Sequence, residues 1–182
     1  MTAAELKAIL DLQPLPKEGG FFKEIFRAPE MLSASSLPRR YTGDRSTLTS
    51  IFYLLEPSTF SAFHRLKSDE IYHFYLGDPV ALHLINETGG LSQVTLGHDV
   101  LAGHHLQYLV PKGVWQASCL VQARSDLAQS DAGQKTGATG FALLGCTVAP
   151  GFEFADYEHG GRDLLLAKYP HHRDLIVRMT RT

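Results

Sequence analysis

Apolar and polar side chains alternate with a period of two through most of this chain, which is the spacing of strands rather than helices. The alternation runs through FFKEIFRA (21–28), TLTSIFYLL (47–55), FSAFHRL (60–66), EIYHFYLG (70–77), VALHLI (80–85) and LSQVTLG (91–97). It resumes in QYLVPKGVWQASCLVQA (107–123) and FALLGCTVAPGF (141–152). Turn residues punctuate these runs: Gly19-Gly20, Glu56-Pro57-Ser58, Gly77-Asp78-Pro79, Glu87 to Gly90, Pro111-x-Gly113 and Pro150-Gly151. Helical spacing is confined to the two ends. Thr2-x-x-Glu5 is a capping box, and Leu6, Ile9 and Leu10 predict a helix over about 3–11, stopped by Pro14 and Pro16. Leu164, Leu165 and Lys168, then Leu175, Ile176 and Met179, predict one or two short helices at the other end. Strands at regular spacing, without alternating helices, predict an all-β sandwich or barrel with short N- and C-terminal helices. Residues 1–182 are expected to form one domain.

Two stretches break the alternation. Residues 28–45 carry Pro29, a serine cluster, Pro38 and Arg39-Arg40-Tyr41, and read as loop. The paired arginines suit a phosphate or carboxylate, and a solvated loop is the competing reading. Residues 124–140, rich in Gly, Ser, Gln and Ala, read as a flexible hairpin loop within the domain.

One stretch concentrates the chemistry. In FSAFHRLKSDEIYHFYLG (60–77), alternation puts Ala62, His64 and Leu66 on one face and Glu70, Tyr72 and Phe74 on one face. If the two strands pair as a hairpin, His64 and Glu70 point into one cavity. A histidine and a carboxylate meeting there can be a metal pair, an acid/base pair or a buried ion pair. Gln116, just after the Pro111-x-Gly113 turn, is expected to face the same interior.

Composition narrows the partners. The chain is 44% hydrophobic with a formal net charge of −2, so no basic excess asks for nucleic acid. No run of apolar residues reaches the length of a membrane span, and the N-terminus lacks the features of a signal peptide. A cytoplasmic protein binding a small molecule is expected. Cys119 and Cys146 are then expected to be unpaired, buried thiols.

The residues just described resemble the cupin motifs. The first motif is G-x5-H-x-H-x3,4-E-x6-G; His64, Glu70 and Gly77 fill it, with Ser58 at the first glycine and Leu66 at the second histidine. In the second motif, G-x5-P-x-G-x2-H-x3-N, Pro111 and Gly113 match. There His105 stands at the first glycine, Gln116 at the histidine and Leu120 at the asparagine. Over most of its length the chain resembles one uncharacterised branch, the cupin-5 type, through LQPLPKEGGFFKEIFR, TSIFYLLEPSTFSAFHRLKSDEIYHFYLGDP, VPKGVWQAS and GCTVAPGFEFADYE. The resemblance implies a double-stranded β-helix (cupin jelly roll) with its pocket inside a β-barrel, commonly as a homodimer. The fold is shared with dTDP-sugar 3,5-epimerases, but a shared fold does not carry an activity with it.

Three functions compete. The first is a small-molecule-binding cupin whose pocket is lined by His64, Glu70, Tyr72, Gln116 and Tyr53, with sugar or nucleotide-sugar ligands. If catalytic, it would run isomerase or epimerase chemistry, with His64 as base, Glu70 orienting it and a tyrosine, Tyr72 or Tyr53, as acid. The second is a metal-dependent enzyme with a depleted ligand set. Leu66 has no lone pair and Gln116 is a poor ligand, so a divalent metal would rest on His64 and Glu70 alone. His73 is one position off the face of Glu70 and should point away. The third is a non-catalytic dimeric scaffold. Trp115 is expected to pack in the core or a dimer contact, His104-His105 and His171-His172 to lie at the surface, and Asp156, Tyr157 and Glu158 to lid the cavity or form an exposed acidic loop.

Overall fold

A computed structural model describes residues 1–121 and 138–181. The N-terminal helix α1 (Ala3–Ile9) is closed by the expected reciprocal cap between Thr2 and Glu5. The strands that follow are β1 (Gln13–Pro14), β2 (Phe21–Arg27), β3 (Met31–Leu32), β4 (Arg45–Ser46), β5 (Thr49–Leu55), β6 (Ser61–Leu66) and β7 (Asp69–Gly77). Then come β8 (Val80–Ile85), β9 (Leu91–Leu96), β10 (Gln107–Val110), β11 (Trp115–Leu120), β12 (Ala142–Ala149) and β13 (Tyr157–His159). The helices α2 (Arg162–Lys168) and α3 (Arg173–Arg178) end the described chain. Most of the flexible-loop expectation for 124–140 lies outside the described residues. Its end is described: the backbone amides of Thr139 and Gly140 donate to the Asp78 carboxylate.

Two large antiparallel sheets face one another in an all-β jelly roll with short terminal helices, and β3 and β4 pair as a separate two-stranded sheet. The larger sheet runs β1-β2-β5-β12-β7-β10, the smaller β13-β6-β11-β8-β9. Among the described residues no ladder between strands joins them; one edge is linked only by the isolated bridge Leu96–His105 and the Phe74 N–H to Leu106 O bond. The closed barrel expected from the sequence is therefore not formed, and the interior is a sandwich core.

The strand pattern explains this layout. Tyr53, Leu55, Tyr72, Phe74, Leu82 and Leu144 point inward from both sheets and form the main core. The outer face of the smaller sheet is apolar too, so it needs a second cover. Phe63, Ile85 and Trp115 bury there against Leu165, Tyr169 and Ile176 from the C-terminal helices. Helix α1 covers one end of the larger sheet through Leu6, against Leu54 and Leu143.

The stretch 60–77 is not the hairpin expected. Strand β6 pairs with β11 and β13, whereas β7 pairs with β12 and β10. The turn at Lys67-Ser68 therefore carries the chain from one sheet to the other. The Pro111 turn makes the same crossing in the opposite direction, and the two are tied together. Lys112 N–H donates to Asp69 Oδ1 at 2.8 Å, and Gly113 N–H to Leu66 O at 2.9 Å. The 28–45 segment closes over this corner. Tyr41 is buried with its hydroxyl 2.9 Å from Ser68 Oγ, and Arg40 donates to Lys67 O at 2.8 Å. Arg40 is thus engaged by backbone.

A buried ion pair locks the same corner from the other side. Arg45 Nε and Nη2 donate to the two Asp156 oxygens at 2.6 and 2.7 Å, and Arg45 Nη1 donates to Gly43 O and Asp44 O. Side-chain exposures of 4% and 2% mean that neither charge has water to fall back on. Asp156 is therefore not part of an exposed acidic loop; it sets the start of β13 beneath the crossing. Breaking one member of such a pair strands its partner. Asp156→Ala is expected to cost about 3–5 kcal/mol in urea unfolding, whereas replacing both partners with apolar side chains costs far less. A loss below about 1 kcal/mol for Asp156→Ala would show that the pair is effectively solvated.

Candidate functional site

The sheet crossing sets His64 on one wall and Glu70 on the other. Both point inward, with exposures of 2% and 6%. His64 is registered opposite Gln116 on β11 and His159 on β13. Its Nδ1 lies 2.9 Å from Ala62 O. A carbonyl only accepts, so Nδ1 carries a proton, and when the ring is neutral Nε2 is the unprotonated nitrogen.

Nε2 faces a residue that periodicity did not single out. Glu18 Oε2 lies 3.9 Å from it, and Glu18 Oε1 accepts from Ser61 Oγ at 2.8 Å. Glu18 sits in an irregular turn before β2, where Lys17, Gly19 and Gly20 all have positive φ. The turn is fastened at both ends: Ala62 N–H donates to Glu18 O, and Tyr53 O–H donates to Gly19 O at 2.8 Å. A Cβ on Gly20 would press against the Tyr53 ring and Leu54 O. The only sequence signal for Glu18 was its place beside the Gly19-Gly20 pair, which fixes a turn but not a side-chain direction.

Glu70 is held by Gln116, whose Nε2 donates to Glu70 Oε2 at 2.7 Å. Burial raises the Glu70 pKa, with Glu18 adding to the effect, while the nearby His64 and the Gln116 hydrogen bond oppose it. Burial also pushes the Cys146 thiol well up, reinforced by Glu70 and Glu18, so Cys146 is a neutral wall of the site.

Tyr157 closes the cavity over His64. The two rings stack with centroids 5.2 Å apart and planes 17° apart, and the Tyr157 hydroxyl lies 3.4 Å from His159 Nδ1. Burial keeps that phenol protonated far above neutrality.

The resulting cavity has a volume of about 120 Å³. His64, Glu70 and Tyr53 line it, as do Glu18, Cys146 and Tyr157. Tyr72 and Gln116 are not among its lining residues. Tyr72 is packed in the core beside Cys146, and Gln116 stands behind Glu70 with its Oε1 lacking a partner among the described residues. His73 points outward as expected, with Nε2 3.0 Å from Thr147 Oγ1. Trp115 lies beneath the C-terminal helices rather than between the sheets, with Arg65 over its ring. At the mouth, Arg27 is bound on both sides by Glu24 and Glu153. The lining therefore carries four carboxyl groups, two of them paired with its one guanidinium.

The donor set does not fit a transition metal. Among the described residues no three His, Cys, Asp or Glu side chains converge as metal ligands. Where cupins place two further histidines, this chain has Leu66 and a Gln116 amide already committed to Glu70.

Comparison with known proteins places this geometry. A family profile described as Cupin superfamily (DUF985) matches residues 4–160. The uncharacterized protein YML079W of Saccharomyces cerevisiae is 30% identical over 147 residues, covering 78% of this chain and 67% of that protein. Protein SO0799 from Shewanella oneidensis has a solved structure that superposes with a TM-score of 0.82 at 31% identity, covering 100% of this chain and 98% of that one. A hypothetical protein from Leishmania major gives 0.83 at 30% identity, with full coverage of both chains. Oxalate decarboxylase from Bacillus subtilis shares the fold alone, with a TM-score of 0.51 at 12% identity over 93% of this chain and 37% of that one.

The raised Glu70 pKa has a stability consequence of definite sign. The folded state holds the Glu70 proton more tightly than the unfolded chain, whose glutamates titrate near about 4.3. The contribution is fully present below that value and is lost as pH rises through the folded pKa. In urea unfolding across pH 4–8, Glu70→Gln should therefore gain stability relative to wild type as pH rises. A difference independent of pH would show that Glu70 titrates as an ordinary carboxylate.

Proposed function

This chain belongs to the cupin-5 branch of the cupin superfamily, and on that footing we propose that it binds a small neutral hydroxyl-bearing molecule between its two sheets. The carrying observation is the 3.9 Å gap between His64 Nε2 and Glu18 Oε2 inside the cavity. The gap is too long for a direct hydrogen bond, and both atoms accept, so it suits a ligand whose adjacent hydroxyls donate one to each. Two further facts narrow the ligand. A cavity of about 120 Å³ has room for a single ring. Four carboxyl groups against the single Arg27 leave the lining net negative, so the diphosphate of a nucleotide-sugar is disfavoured and a simple sugar or polyol is favoured.

The same groups supply acid/base chemistry of the isomerase or epimerase type. His64 Nε2 removes a proton from a carbon beside a ligand carbonyl, and the Glu18 carboxylate stabilises the imidazolium that forms. Tyr157 returns a proton to that carbon and is reprotonated from solvent through His159, while the His64 imidazolium gives its proton to solvent, which restores both groups. Tyr53 is already donating to Gly19 O and Tyr72 does not line the cavity, so Tyr157 takes the acid role among the tyrosines.

The test pairs a thermal-shift panel with solvent exchange. Neutral aldoses, ketoses and polyols should raise the melting temperature, while their uronate and phosphate counterparts should not. His64→Ala and Glu18→Gln should abolish the shift. In deuterated water a bound sugar should exchange its carbon-bound proton next to the carbonyl, slowed by about 10²-fold or more in His64→Ala. Stabilisation by anionic ligands alone would overturn the reading; ligand binding without exchange would leave a binding protein and remove the catalytic part.

A further inference from the structure

The lining of the cavity does not end at His64 and Glu18. Phe152 and Phe154, from the segment between β12 and β13, line it beside the Arg27 clamp at the mouth. Their rings meet at a steep angle, with centroids 5.2 Å apart and planes 77° apart. Phe154 is 66% exposed, so most of it stands in water although it borders the cavity.

A single exposed aromatic on an open surface calls for no explanation. Phe154 differs because the chain is fastened on both sides of it. Phe152 N–H donates to Thr49 Oγ1 at 2.9 Å, and Phe152 O accepts from Arg27 Nη2 at 3.1 Å. Arg27 Nη1 donates to Glu153 Oε1 at 2.8 Å. On the far side Asp156 N–H donates to Glu153 O at 2.8 Å, and the Asp156 carboxylate is locked to Arg45. Phe154 is thus held ready, without the ordering cost that a loose loop would carry on binding.

The polar group beside it is also specific. Glu153 Oε2 takes no hydrogen bond from a described residue, so it stands next to the aromatic pair as an acceptor for a ligand hydroxyl. A pyranose ring presents both matching features. Its rim carries hydroxyls, and its face carries C–H groups that pack on the electron-rich face of an aromatic ring.

We propose that the mouth is an outer subsite and that the ligand is a reducing disaccharide, with its reducing ring between His64 and Glu18 and its second ring on Phe154, donating a hydroxyl to Glu153. This rests on the neutral-sugar reading of the inner cavity and extends it outward. A volume of about 120 Å³ accommodates one ring, so a second ring has to lie at the mouth. The order of the rings follows from the chemistry, since only the reducing ring opens to the carbonyl that proton removal by His64 requires.

Calorimetric titration of the full chain with cellobiose and maltose against glucose, and with mannobiose against mannose, tests the assignment. At least one disaccharide should bind about tenfold or more tightly than its monosaccharide. Phe154→Ala should remove that advantage and leave the monosaccharide unchanged, and Phe154→Trp should keep it. Phe154 is exposed, so these variants keep their fold, which their melting temperatures check. His64→Ala should abolish binding of both sugars. Monosaccharide binding with no disaccharide advantage, or an advantage untouched by Phe154→Ala, would overturn the outer subsite and leave the inner ring site standing. A disaccharide that binds through Phe154 but is indifferent to His64→Ala would overturn the inner placement and, with it, the neutral-sugar reading of the cavity. No saturable binding of any of these sugars by about 10 mM would overturn both.

Discussion

The crossing of the chain from one sheet to the other at Lys67-Ser68 is the constraint on which the rest of the molecule depends. Because β6 and β7 lie in different sheets, His64 and Glu70 face each other across an interior instead of standing side by side on one surface. Every neighbouring feature serves that corner. Tyr41 and Arg40 cap it, the Pro111 turn ties into it, and the buried Arg45–Asp156 pair anchors the segment that brings Tyr157 over His64. The polar interior is costly to fold, since Glu70, Cys146 and the Gln116 amide are all removed from water. Its persistence is explained by the hydrogen bonds that satisfy most of it and by a cavity in which His64 Nε2 and Glu18 are left as acceptors for ligand hydroxyls.

Much of this was legible in the residues. A period of two assigned the inward and outward faces of β6, β7 and β11 correctly, so the convergence of His64, Glu70 and Gln116 and the divergence of His73 followed from alternation. The Thr2 capping box and the apolar spacing of the tail located the helices. Strand pairing was harder, because alternation says which side a residue faces and not which strand lies beside it. The short turn at Lys67-Ser68 suits a hairpin as well as a crossing, and the choice is made by contacts with β10 to β13, far away in sequence.

The site residues that escaped are those outside periodic segments. Glu18 is aimed by a turn of positive-φ residues fastened to Ala62 and Tyr53, neither of which is near it in sequence. Tyr157 was seen as part of an acidic string, and its place over His64 depends on the Asp156 ion pair 111 residues from its partner. Tyr72 shows the converse: facing inward is not the same as reaching the cavity, and its ring is absorbed by the core.

The central claim is that His64 presents a bare Nε2 to the cavity, rather than forming a closed ion pair with Glu18. Long-range proton–nitrogen correlation spectra of the histidine-labelled protein, recorded where the ring is neutral, report the tautomer directly. A protonated Nδ1 and an unprotonated Nε2, with the Nε2 resonance moving when a neutral sugar is added, is the predicted result. A protonated Nε2 unaffected by such ligands would contradict it, leaving His64 and Glu18 as a structural pair.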